Sequence, residues 1–158
     1  MSFVLKLIGR RFSEIDRRSR ELLALLDDND LYKRPTDSVN AMVPFSSGEF
    51  IVRSAAMVEK TFGGITTRLW DDPFEWTLPE KLSTVTAVSQ YLDEVAEIRL
   101  HGLAFFSSDA DLEREIPAPE TQRSLGEILL ETAAFSEHYL GRAFAVYQMI
   151  TSKTPPRL

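Results

Sequence analysis

Two histidines, a few glutamates, one tyrosine and one arginine are the residues of this chain whose types suit chemistry. His138 stands in "ETAAFSEHYLGRA", residues 131–143, on a strongly helical run with Glu131 and Arg142 nearby. An imidazole oriented by a carboxylate is the usual outfit of a general base. No nucleophile accompanies it at helical spacing, so His138 reads as a half-exposed helix residue bonded to a neighbour. His101 lies beside Gly102, between Leu100 and Leu103, and reads as a boundary residue. A three-histidine metal centre needs three imidazoles converging on one point with a coordination position left open. Two histidines cannot supply it within one subunit. The chain has no cysteine, which removes disulfides, thiolate metal sites and a cysteine nucleophile. Glu49, Glu131, Tyr139 and His138 are the donors left for an atypical oxygen-rich site, and a metal-free protein with no cofactor is the expectation. No Gly-x-Ser-x-Gly, Ser-x-x-Lys, phosphate-binding glycine loop or His-Glu-x-x-His occurs.

These side chains must be positioned by helices. Val4, Ile8, Phe12, Ile15, Ser19, Leu22 and Leu26 recur at three- and four-residue spacing, which predicts a first helix over about 3–27. Its arginines alternate with acids, and Glu14 with Arg18 and Asp16 with Arg20 are expected as ion pairs on a solvated face. "SSGE" places Ser46 as an N-cap and Glu49 three residues on, a capping box that starts a second helix. Ile51, Ala55, Val58, Phe62, Ile65 and Leu69 form its apolar face, and Gly63–Gly64 is a weak point or close-packing site late in it. "WDDPFEWTLPE" reads as a long crossing loop packed on the helices. A third helix is expected from about Ser83 to Phe106, with Val85, Val88, Leu92, Val95, Ile98, Leu100 and Leu103 inward. Ser108 starts a short helical turn that ends at proline. A second capping box, Ser124 with Glu127, opens the last helix, whose expected core line is Leu125, Ile128, Thr132, Phe135, Tyr139, Ala143, Val146 and Ile150. No strand is expected. Four amphipathic helices make an all-α four-helix bundle spanning 1–152, followed by a short tail over 153–158.

Length and charge narrow the function. The 158 residues fit one domain able to bury its own core. A net charge of −6 opposes general nucleic-acid binding, which relies on lysine and arginine neutralising phosphates. No apolar run approaches the ~20 residues of a membrane span, and the start "MSFVLKLIGRRF" lacks the charge order of a signal peptide. A cytoplasmic protein is expected, with no nucleic-acid and no membrane partner.

"FSSGEFIVRSAAMVEKTF", "LAFFSSDADLEREIPAPE" and "RSLGEILLETAAFSEHYLGRA" together resemble the DinB/YfiT-like superfamily over about residues 3–150. The most specific stretch is Leu112 to Arg142, where the family's "HHRGQ" stands as "HYLGR". The resemblance implies an up-down-down-up bundle, often a homodimer, with a divalent metal on three histidines and, in some members, thiol-dependent transferase or isomerase activity. Carried over by position, the three ligand places fall at Arg53, Phe135 and Tyr139, and none is histidine. His138 matches the first histidine of the family's pair, which is not a ligand.

The resulting expectation is a DinB-like protein without its metal site, non-catalytic, serving as a small-ligand-binding or interaction module. Its residual pocket would be lined by Arg53, Phe135, His138 and Tyr139. A guanidinium there must meet a carboxylate, a phenol or a ligand, since a buried unpaired charge is costly. An internal bridge to a glutamate, or snorkelling to solvent, is the leading reading of Arg53, with a small anionic ligand as the functional alternative. The competing functional reading is a metal- or thiol-dependent transferase- or hydrolase-like enzyme with altered ligands.

Overall fold

The computed structural model describes residues 2–35, 45–71 and 81–155. Most of the crossing loop, residues 72–80, and the tail end, residues 156–158, lie outside them. The described chain is predominantly helical: α1 (Phe3–Leu23), the short α2 (Asp28–Leu31), α3 (Ser47–Thr67), α4 (Val85–Leu103) and α5 (Leu125–Thr151). A 3-10 turn (Asp109–Glu113) and a small antiparallel hairpin, β1 (Glu115–Pro117) with β2 (Gln122–Ser124), connect α4 to α5. The hairpin corrects the expectation of no strand. Its strands are three residues long, too short to display the alternation by which a strand is read from sequence.

Both capping boxes form. Ser46 accepts from the amide of Glu49 while the Glu49 carboxylate accepts from the amide of Ser46, and Ser124 with Glu127 does the same. Four exposed amides at a helix start need partners, and these pairs satisfy two at each end. α1 solves the problem differently. Ser2 makes no side-chain cap, and the carboxylate of Asp109 accepts from the amides of Val4 (3.2 Å) and Leu5 (3.0 Å) across the fold. Asp28 caps α4 in the same manner, accepting from the amide of Val85 at 2.7 Å. α1 ends four residues earlier than the periodicity suggests, because Asp27 caps α2 by accepting from Asn29 and Asp30.

Residue pairs set the helix neighbours. Ser47 bonds the carbonyl of Ala143, Ser54 and Ser136 exchange hydroxyl–carbonyl bonds, and Thr61 meets Thr132 at 2.7 Å, so α3 and α5 run antiparallel. Tyr91 bonds Glu59, and Gly102 lies on Phe62, so α3 and α4 run parallel. Arg20 reaches Asp93 while Gly9 faces Leu103, so α1 and α4 run antiparallel. Arg18 reaches Glu137 and Phe144, and the first turns of α1 lie near Gly126 and Leu130 of α5, so this pair runs parallel. Leu5, Phe12, Phe50, Phe62, Leu129 and Leu140 lie at the centre of the shared core, each essentially without solvent exposure.

Several expected inward positions turn outward. Phe135 is 44 % exposed, and Leu69 and Leu100 are more exposed still. The buried line of α5 runs through Thr132, Ser136 and Leu140. Small hydroxyl residues let the α3 and α5 backbones approach, and a phenylalanine on that line would hold them apart. Glu14 pairs with Arg17 rather than Arg18, which frees Arg18 to cross to Glu137.

Candidate functional site

A cleft of about 700 Å³ lies between the C-terminal halves of α3 and α4. Gly63 lines it, and among the described residues a Cβ built there meets nothing nearer than the Leu69 carbonyl at 4.0 Å. The next glycine behaves oppositely. Gly64 takes the Trp70 ring, whose atoms lie 2.4 Å from a notional Cβ, so the end of α3 is pinned while the cleft stays open. Leu69, Ile98 and Phe105 supply apolar wall, and His101 sits on the rim, edge-on to Phe105 with ring centres 5.4 Å apart. Mixed apolar walls with a few convergent polar groups are the usual make-up of a ligand seat.

Glu59 is the pivotal polar group. It lines this cleft and also a smaller neighbouring cavity of about 290 Å³ that includes Lys81, Tyr91 and Glu94. Tyr91 Oη donates to its Oε2 at 2.6 Å. Among the described residues no cation forms an ion pair with it. Burial pushes the Glu59 carboxyl above the ordinary glutamate range; the Tyr91 bond opposes the shift and the charge of Glu94 adds to it. A carboxyl whose folded value is raised contributes stability below its unfolded value and loses it as pH rises through the folded value. Glu59→Gln, which keeps an acceptor for Tyr91, is therefore expected to raise the urea midpoint at neutral pH. The difference should vanish below pH ~4, near the ordinary carboxylate range. A lower midpoint at neutral pH would mean that Glu59 is paired with a cation.

The four residues expected to share a pocket are only partly together. Arg53 lies with its guanidinium 4.4 Å from the centre of the Phe45 ring, a cation–π contact. Phe45 meets Phe50 edge-on at 5.6 Å, and Tyr139 stacks on Phe50 at 6.3 Å. Arg142 approaches the same Phe50 ring at 5.8 Å. Arg53 and Tyr139 thus flank one aromatic cluster. His138 is exposed and, among the described residues, meets it edge-on at Tyr139, and Phe135 points to solvent. Glu49 is committed to its capping box and to Arg34, and Glu131 pairs with Arg123. Among the described residues no three of histidine, aspartate and glutamate gather into a metal-binding set.

His101, read from the sequence as a boundary residue, is exposed and lines the cleft. Glu97 stands four residues before it on the exposed side of α4, and that spacing was readable as a shared face. The partnership of Glu59 with Tyr91 had no such signal, because the two belong to different helices. A small cavity of about 20 Å³ lies among α1, α3 and α4 beside Arg99. Arg99 is 7 % exposed and donates to Ser13 Oγ at 3.2 Å. That volume holds a water molecule or two and no organic ligand.

Among the described residues no helix is long and apolar enough to cross a membrane. Comparison with known proteins finds no matching family model, no matching curated protein and no matching solved structure.

Proposed function

We propose that this chain is a DinB-like, up-down-down-up four-helix bundle that works as a metal-free small-ligand-binding module, with the α3–α4 cleft as its ligand seat. The topology is supported by the pair directions: α1 parallel to α5, α3 parallel to α4, and antiparallel pairing of α3 with α5 and α1 with α4. The ligand seat rests on one observation, a cleft of about 700 Å³ walled by Leu69, Ile98 and Phe105 and kept open at Gly63. That volume matches drug-sized ligands.

A neutral apolar fluorophore, N-phenyl-1-naphthylamine, tests the seat. Wild type is expected to bind it saturably, and Gly63→Leu to weaken binding at least ~tenfold, a loss of about 1.4 kcal/mol. The new side chain grows into open space, and replacing a helix-interior glycine by leucine favours the folded state by up to ~1 kcal/mol. Lost binding is thus separable from lost folding. Equal binding by both proteins would place the seat elsewhere. Elemental analysis of protein purified without chelator or histidine tag tests the metal-free part, and a near-stoichiometric first-row metal would overturn it.

A second seat has its own observation. Arg53 and Arg142 bring two guanidinium groups to the Phe45–Phe50–Tyr139 cluster. A small anion, such as a carboxylate, is the ligand that two such groups would take. Weakened carboxylate binding in Arg53→Ala, with Gly63→Leu unaffected, would favour this seat over the cleft.

A further inference from the structure

Resting on the cleft as the ligand seat, we propose that its ligand is an amphipathic amine. The apolar tail lies along Leu69, Ile98 and Phe105, and the ammonium group lies at Glu59 where the two cavities meet. Three features of the walls select this chemistry. Among the described residues the cleft carries Glu59, Asp71 and Glu97 against Lys60, and the adjoining cavity carries Glu59 and Glu94 against Lys81, so carboxylates exceed lysines in both. Opposite charge at the mouth of an apolar cleft concentrates a cationic ligand and repels an anionic one.

Glu59 is also the one cleft carboxylate with a built environment. It is half-buried, it accepts a single neutral hydrogen bond from Tyr91, and no ion pair reaches it among the described residues. An ionised carboxylate has about four lone-pair sites, so most of its accepting capacity remains after the Tyr91 bond. An ammonium group supplies both the missing charge and the missing donors. Tyr91 in turn fixes the carboxylate's orientation, which limits the ordering cost when the amine binds. The apolar walls give the tail its share: each buried methylene contributes about 0.8 kcal/mol. A short polar amine would lack that contribution, and a fatty acid would place like charge against Glu59.

Isothermal titration of the full chain with n-octylamine and with octanoate isolates the head group, because the tails are nearly equal. Wild type is expected to bind octylamine at least ~tenfold more tightly at neutral pH, a difference of about 1.4 kcal/mol. Glu59→Gln should erase most of that preference while leaving N-phenyl-1-naphthylamine binding intact. Equal binding of amine and carboxylate by wild type, or an undiminished amine preference in Glu59→Gln, would overturn the proposal. If the naphthylamine probe is blocked by Gly63→Leu and yet the amine shows no preference, the cleft stands and only the amine assignment fails. If Gly63→Leu blocks neither, the cleft itself is wrong. Glu97→Gln is the companion variant: a smaller loss than Glu59→Gln is expected, since Glu97 is exposed.

Discussion

Phe62→Ala is expected to lower the unfolding free energy by about 3–5 kcal/mol, the range for removing a fully buried phenylalanine. Phe62 is without solvent exposure and joins three helices. Its ring meets Phe12 of α1 edge-on, with centres 5.3 Å apart. It also fills the notch that Gly102 leaves in α4, where a notional Cβ would lie 2.4 Å from Phe62 Cδ1. Truncation leaves a void that the rigid crossing of α3 and α4 cannot close, so the lost transfer energy and the cavity cost add. In a chain of this size the thermal midpoint should fall on the order of 10 °C. Gly102→Ala attacks the same contact by overpacking and should cost about 1–3 kcal/mol, despite the better helix propensity of alanine. The two changes should be strongly non-additive, because each relieves the other's defect. Urea unfolding of the two single variants and the double variant gives the coupling directly. A loss under ~1 kcal/mol for Phe62→Ala would show that this crossing is not packed as described.

Glu49→Ala is expected to cost about 2–3 kcal/mol at neutral pH, summing a lost cap of about 1 kcal/mol and a buried amide left without an acceptor. Glu49 is nearly buried, and its Oε2 accepts from the amide of Ser46 at 2.7 Å and from Ser46 Oγ at 2.9 Å. Arg34 donates to Oε1 at 2.7 Å, but that arginine is exposed, so the ion pair itself adds little. Burial alone would raise the Glu49 carboxyl; the bonds from Arg34 and Ser46 outweigh it and hold the group below the ordinary range. A lowered folded value contributes stability above the unfolded value and loses it as pH falls through the folded one. The wild-type advantage over Glu49→Ala should therefore shrink as pH drops below ~4.5, the ordinary glutamate range. Glu49→Gln, which keeps an acceptor but not the charge, should fall between them. Its own burial pushes the Tyr32 phenol up to about 12, with the charge of Glu49 adding to it. Removing Glu49 should lower that value, which ultraviolet titration reads. A Glu49→Ala protein as stable as wild type at neutral pH would mean that Ser46 finds another acceptor.

Glu59 and Glu49 lie on one helix and titrate in opposite senses. The difference comes from donors: Glu49 collects two serine bonds and a guanidinium, while Glu59 has one phenol and a like-charged neighbour. The capping serine marks Glu49 in the local sequence, but Arg34 and Tyr91 reach the two glutamates from elsewhere in the fold.

The amino-acid sequence by itself determined whatever depends on neighbours three or four residues apart. The helical class, the two capping boxes at Ser46 and Ser124, the Asp16–Arg20 pair and most of the inward line of α3 are of that kind. Helix geometry converts such spacings into contacts without any help from the rest of the fold. Tertiary structure alone decided what depends on how closely two helices approach. Ser136, not Phe135, faces α3, because the Ser54–Ser136 and Thr61–Thr132 contacts draw the backbones together and leave no room for a ring. Asp109 caps α1 from more than a hundred residues away, and Arg18 leaves Glu14 for Glu137. The candidate site belongs to this second group. His101 and Glu59 line one cleft because α3 and α4 pack side by side, with Gly63 on its wall while Gly64 faces Trp70. One step of 100° around a helix separates those two glycines. Hydropathy cannot tell them apart, since neither has a side chain to rank.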